Sequence, residues 1–442
     1  MPTFERKGMI KRRQAFPNEI LKSVKDIRID PDNGKPISYE IYCKYKWDSV
    51  FSRNEIETVN VQFRPDDIAA IEARKLLIQG FVYKSLMKYK GLLETAIKEK
   101  DYLSVCLSLE GIGNIYFERG DIEISTKFHE KTLEIYETLN FGYGQIDTII
   151  NICKIKLFIG ELAEAERLLE KVETLSKQLK YIKGSIGIGQ IRVNLFASKG
   201  GLNEALSYGN STLGLLNEYG EEIEIADQYC IIGNIRGMMS NLVEAESCFN
   251  KALSIYEKNG FKKGIGIANA GLGAVQIGYG NFEKALARMN KAVEIIEDIE
   301  NVFDKANTLI AIGDIHREKQ DGSGAIMYYG QAEKIYKDFE CKSGQARLSS
   351  SLGLFFLATG DLEQAEKYLT DAYEFYTSSG LRYYKAFTGA DLGMVFYLKK
   401  EYSKALNYLK KSVAQFNKMK IRPNMDMLLR AINVCESKSS AK

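Results

Sequence analysis

The sequence predicts an all-α protein, a solenoid of paired helices. Three observations carry the prediction: a turn that returns every 40 residues, small side chains in fixed register after each turn, and apolar residues at helical spacing in between. The turn is Gly120-Asp121, Gly160-Glu161, Gly200-Gly201, Ser240-Asn241, Gly280-Asn281, Gln320-Asp321, Gly360-Asp361 and Lys400-Glu401. Internal periodicity of this length marks a repeat array, whose length counts modules rather than globular domains. Hydrophobic residues make up 45% and charged residues 27%, with only 6 prolines among 442 residues, a balance that suits packed helices.

Taken in order, residues 1–64 stand outside the repeat. Ile37 to Trp47 alternates apolar and polar side chains, and Thr58 to Phe63 does so more briefly, the period of a half-buried strand. A β-hairpin capping the first helices is expected there, preceded by a short helix after Phe16-Pro17-Asn18. Pro65-Asp66-Asp67 then reads as a helix start, with proline in the first turn and acids beside the free N–H groups. The array is expected over 65–422 as about nine helical hairpins. Pro423 opens a capping helix over 423–435, and 436–442 is a polar tail.

Five residues after each turn stands a small side chain: Ser85, Ser125, Ala165, Ala205, Ala245, Ala285, Ala325, Ala365 and Ala405. Seven residues on come Thr132, Val172, Thr212, Ala252, Ala292, Ala332, Ala372 and Ser412. Both rows lie on one face of the second helix of each pair, where a larger group would force two backbones apart. In the first helix, Gly113, Gly233, Gly273, Gly313, Gly353 and Gly393 mark where it meets the second. Glycine inside a helix costs about 1 kcal/mol relative to alanine, so close packing is the expected compensation.

Leu-Gly or Ile-Gly, an aromatic three residues later (Tyr116, Phe196, Phe356, Phe396), then the two small positions: this pattern resembles the tetratricopeptide repeat over roughly residues 66–435. The resemblance implies a right-handed superhelix with the first helix of each pair on its inner face. The usual repeat is about 34 residues and closes with a proline. Here the unit is longer and that proline is missing, as in the long-repeat branch of the Leu-Gly-Asn spindle-orientation adaptors, kinesin light chain and the Rap-type peptide sensors. Departures are Cys153 and Val193 at the glycine position, and Gly322 with Gly324 where a helix should start, so the seventh hairpin is expected to be locally loose.

The residue after the glycine position would then face the groove: Asn114, Lys154, Asn194, Asn234, Ala274, Asp314, Leu354 and Met394. A side-chain amide donates and accepts at once, which suits capture of a peptide backbone. Similarity to the Leu-Gly-Asn adaptors implies that use for Asn114, Asn194 and Asn234. Against this stands the plainer reading that asparagine merely tolerates a hydrated groove. Glu110, Asp147, Gln190, Asp227, Arg317 and Arg347 are neighbouring candidates of both signs. A lysine-rich carboxylate clamp is absent, since Glu110 and Ile150 stand where it needs cations.

Chemistry finds no foothold in the sequence. The two histidines, His129 and His316, occupy positions that other repeats fill with large or aromatic residues, and no phosphate-binding glycine motif is complete. No nucleophile, base and orienting group can be assembled, so no catalytic residue, cofactor or metal is expected. Seven scattered cysteines without Cys-x-x-Cys spacing point to a reducing, cytoplasmic setting. Neither a secretory leader nor a membrane span is read. Net charge is +3, with basic ends, +4 over residues 1–30 and +8 over 399–442, and an acidic middle. The C-terminal lysines can attract an acidic partner or be a solvated face; nucleic acid is not favoured. The expected function is an adaptor holding a protein or peptide segment in the groove, and the alternative is a peptide-sensing regulator that changes conformation on binding. An enzyme residing in residues 1–64 is the third reading. Each hairpin is expected to touch only its neighbours.

Overall fold

A computed structural model describes residues 65–78, 82–298 and 301–439, and among these every regular element is an α-helix. The expected N-terminal hairpin and short helix lie outside the described residues. The helices come in pairs: α1 (Pro65–Ile78) with α2 (Val82–Lys98), α3 (Tyr102–Glu118) with α4 (Ile122–Thr138), α5 (Gly142–Ile159) with α6 (Leu162–Leu179), and α7 (Ile182–Ser198) with α8 (Leu202–Tyr219). They continue as α9 (Glu222–Met238) with α10 (Leu242–Lys258), α11 (Lys262–Gly278) with α12 (Phe282–Asp298), and α13 (Val302–Glu318) with α14 (Gly322–Asp338). Next are α15 (Lys342–Thr359) with α16 (Leu362–Ser378), α17 (Arg382–Leu398) with α18 (Tyr402–Met419), and a single α19 (Met425–Ser439). The last helix therefore runs past the expected end at residue 435.

The turns explain the period. Gly120, Gly160, Gly200, Ser240, Gly280, Gln320, Gly360 and Lys400 all have positive φ, between 61° and 87°. Each ends its helix in the same way: at the first, Gly120 N–H bonds the Phe117 carbonyl at 3.0 Å and Asp121 N–H reaches back to Tyr116 at 2.9 Å. That paired closure satisfies the last carbonyls of the helix and needs one left-handed residue, which glycine supplies without strain. Asp101, Asp321 and Asp361 then cap the next helix, their carboxylates accepting from the backbone N–H three residues on. The seventh pair is as helical as the rest. Gly322 and Gly324 do not loosen it, because Asp321 accepts from Gly324 N–H at 3.0 Å and from the Ser323 hydroxyl at 2.9 Å. A Cβ on Gly324 would lie 2.5 Å from His316 Nδ1, so the glycine makes room for the capping group and its histidine partner.

Both small-residue rows are buried throughout. The glycines of the first helices have a common purpose, visible in what a Cβ would strike. Gly113 faces His129, Gly233 faces Phe249, Gly273 faces Met289, Gly313 faces Tyr329, Gly353 faces Leu369 and Gly393 faces Leu409, each 16 residues on in the paired helix. A missing side chain on one helix seats a large one on its mate. One of the two exceptions obeys the same rule in reverse: Val193 stands at the glycine position, and the residue 16 further on is Gly209, with Val193 Cγ2 3.8 Å from where its Cβ would be. A second set works between pairs, since Gly144, Gly264 and Gly344 lie against the rings of Tyr136, Tyr256 and Tyr336.

The helices form two compact units, Met1–Ile155 with Val172–Gly184, and Lys156–Lys171 with Ser185–Lys442. In the first, Leu103, Val105, Leu107, Leu109 and Ile112 make α3 buried on nearly every side. In the second, neighbours are not the only contacts. Phe158 packs on Phe303 with ring centroids 4.8 Å apart. The Gly160 turn lies against Ser379, the Gly200 turn lies against Met419, and Val193, Leu202 and Ala205 share one apolar cluster with Leu369, Phe416 and Met419. The expectation that each hairpin touches only its neighbours does not hold here, because the unit coils tightly enough for distant turns to meet.

Candidate functional site

The predicted row falls on the first helix of each pair, one residue beyond the packed glycine. In the first unit Asn114 is half-buried and Lys154 is exposed, 3.5 Å from Asn151 Oδ1. In the second, Asn194 and Asn234 are exposed and Gln190 is half-buried. None of Asn114, Gln190, Asn194 and Asn234 has a hydrogen-bond partner within the described residues. Four amides thus stand unused. Each keeps a donor and an acceptor for something outside the fold.

Other candidates are already engaged. Glu110 is buried and accepts from the Thr148 hydroxyl at 2.8 Å. Asp147 accepts from Tyr181 Oη at 2.9 Å, and Asp227 from Tyr256 Oη at 2.5 Å. Those acids satisfy tyrosine hydroxyls that the glycine seats have drawn inside, and burial with the nearby Asp227 charge pushes the Tyr256 hydroxyl pKa well up. Glu110, Asp147 and Asp227 thus each have a partner inside the fold.

Asp314, Arg317 and Arg347 gather into one polar cluster on α13, α14 and α15. Asp314 accepts from Tyr329 Oη at 2.8 Å and from the Ser351 hydroxyl at 3.3 Å, and its carboxylate is 3.9 Å from Arg317 Nε. Arg317 also pairs with Glu318 at 2.9 Å, while its buried Nε makes no hydrogen bond. Arg347 donates to Asn307 Oδ1 at 3.1 Å, and Tyr336 donates to the same oxygen at 2.8 Å. Burial raises the Asp314 pKa against the opposing pull of Arg317, Tyr329 and Arg347. Asp391 on α17, within reach of the Arg317 charge, is an acid that sequence reasoning missed. Burial pushes its carboxyl up to about 7, with Arg317 acting the other way. The signal was present: at the equivalent position other repeats carry Ile231, Gly271, Ala311 or Ser351, so an acid there breaks the pattern.

The histidines are structural. His129 fills the space left by Gly113, and His316 holds Asp321 Oδ2 at 2.8 Å while stacking on Tyr328. Among the described residues no group of acids, cysteines and histidines is placed to hold a metal, no cysteine is in a disulfide, and no helix is long and apolar enough to cross a membrane.

Comparison with known proteins agrees with this architecture. Tetratricopeptide-repeat models match residues 344–418 and 105–140. No curated protein matches the sequence. Among solved structures, a Rap protein complexed with Competence and Sporulation Factor is similar with a TM-score of 0.60 at 12% identity, covering 80% of this chain and 98% of that one. The apo form of the quorum sensor NprR from B. thuringiensis is similar with a TM-score of 0.50 at 12% identity, covering 79% and 97%. At such identity the likeness concerns the fold.

Proposed function

We propose that this chain, a repeat protein of tetratricopeptide type resembling the Rap sensors, is a binding scaffold that holds a segment of another polypeptide along the amide row of its second unit. The observation that carries the reading is selective idleness: Gln190, Asn194 and Asn234 have no internal partner, while the neighbouring Asp227 and Asn307 are both engaged by tyrosines. Amides that bond both backbone N–H and C=O favour an extended or helical peptide with little demand on its sequence. The Asp314 and Arg317 cluster, with Asp391 within reach of the Arg317 charge, adds a place where a charged side chain of that segment is read. Asn114 and Lys154 extend the same register in the first unit. Cytoplasmic residence and the absence of catalysis are part of this reading. The test is capture from the native cell by the parent chain and by Asn194→Ala/Asn234→Ala. The expected result is loss of the captured partner with an unchanged melting curve; undiminished capture would refute the amide row.

A second reading has its own support. A scaffold whose distant turns touch, as Gly160 touches Ser379, changes those contacts whenever its pitch changes. Together with the fold shared with a Rap protein held in complex with Competence and Sporulation Factor, this favours a regulator that responds to a peptide by altering its coil. Small-angle scattering with and without a captured peptide separates the two, since a rigid scaffold keeps its radius.

A further inference from the structure

Apart from the amide row, α16, α17 and α18 enclose a pocket of about 350 Å³ lined by Tyr373, Arg382, Lys385, Lys411, Ser412 and Gln415, together with Ala386 and Ala414. Its charge is of one sign. Three cations converge on it and no carboxylate lines it. Elsewhere on this surface lysines are commonly paired: Lys399 meets Glu363 and Glu366, Lys404 meets Glu401, and Lys410 meets Glu436. Arg382, Lys385 and Lys411 have no ion pair among the described residues.

Three further features mark the pocket as built for an anion. Arg382 and Lys385 occupy the first turn of α17, which contains no acid. That is the end of a helix where the backbone dipole disfavours positive charge, so both cations are placed against local electrostatics. Lys385 Nζ is held 5.3 Å over the Tyr373 ring, and Tyr373 is itself set edge-on against Tyr408 at 5.3 Å, which restricts where that ammonium points. Ser412 stands in a row that four other repeats fill with Ala252, Ala292, Ala332 and Ala372 and three with Thr132, Val172 and Thr212, and it is only 2% exposed. Its hydroxyl has no hydrogen-bond partner, as is also true of Thr212 in the same row, whereas Thr132 donates to the Phe128 carbonyl at 2.8 Å. Gly389 lies opposite, where a Cβ would come within 2.8 Å of Ser412 Oγ, so the glycine leaves space beside the hydroxyl.

We infer that this pocket is a second ligand site, specific for the phosphoryl group of a small molecule. A dianionic phosphate oxygen set accepts from a guanidinium fork, two ammonium groups, a hydroxyl and an amide at once, and relieves the mutual repulsion of the three cations. The volume admits free phosphate or a phosphomonoester of nucleotide size. The pocket shares no residue with the amide row, so its occupation and that of the row are separable.

The test uses the full chain titrated calorimetrically with inorganic phosphate and with adenosine 5′-monophosphate, against chloride at equal ionic strength. One saturable site is expected, weakening as salt rises. Tighter binding of the nucleotide identifies a phosphomonoester as the source, and equal binding identifies free phosphate. Lys385→Ala/Lys411→Ala should weaken binding at least tenfold. Ser412→Ala, which installs the residue other repeats already carry, should leave the melting curve unchanged and weaken binding about threefold to tenfold. No saturable binding of either probe, or binding that both variants leave intact, overturns the inference.

Discussion

Gly353→Ala and Gly273→Ala are the same substitution at equivalent positions of two repeats, and the packing predicts opposite signs for them. At Gly353 the new Cβ would lie 2.5 Å from Leu369 Cγ, 2.8 Å from its Cδ2 and 3.3 Å from its backbone nitrogen. A branch point and a main-chain atom cannot step aside without moving α16. Overpacking of this kind costs about 1–3 kcal/mol, against about 1 kcal/mol returned by alanine's helix propensity, so a net loss of about 1 kcal/mol is expected. At Gly273 the Cβ would meet Met289 Cε at 2.9 Å and Cγ at 3.0 Å, on an unbranched side chain with three rotatable bonds. There the clash relaxes and the propensity gain remains, giving a change between zero and about 1 kcal/mol of stabilisation. Urea unfolding of both variants reads the difference, and hydrogen exchange of α15 and α16 locates it. Equal shifts of the same sign would refute the view that the facing side chain sets the value of each glycine.

Two more outcomes follow from the described contacts. Burial holds the Asp391 carboxyl at about 7, well above the ordinary carboxylate range, so the native state favours its proton and stability falls as pH rises from that range towards about 7. Asp391→Asn should therefore raise the urea midpoint at pH 8 by up to a few kcal/mol equivalent and much less at pH 5, whereas an equal gain at both values would remove the buried acid as cause. Gln320 is exposed and holds φ at +61°, a conformation that costs a side chain about 1–2 kcal/mol, less about 0.4–1 kcal/mol of glycine's extra unfolded entropy. Gln320→Gly should raise the melting temperature slightly, and a lower value would contradict the turn geometry.

The helices and their turns were legible because one constraint repeats: a left-handed residue every 40 positions, a small residue five later, and a glycine in the first helix. Even the departure at Val193 could be read, since Gly209 stands 16 residues on and Gly113, Gly233 and Gly273 have large residues at that offset. What was not legible depends on partners the period does not announce. Whether Asp227 faces a groove or a tyrosine is decided by a hydroxyl 29 residues away in the next helix, and Tyr256 arrives there only because Gly264 admits its ring. Likewise, residues from three helices form the cluster around Asp314, and only their packing shows that Asp314 is engaged while Asn234 is not. The touching turns at Gly160 and Gly200 follow from how tightly the second unit winds, a quantity set by small crossing angles accumulated over many helices.

Those touching turns also govern how the protein is made. During synthesis the ribosome releases Phe158, Gly160 and Gly200 long before Phe303, Ser379 and Met419 exist to meet them. An incomplete chain therefore carries uncovered apolar surface at its early repeats however well each hairpin has formed, and contacts so far apart in sequence form slowly. Proteases and chaperones encounter that surface until the final helices arrive, so loss of the last pair exposes residues in the middle of the chain.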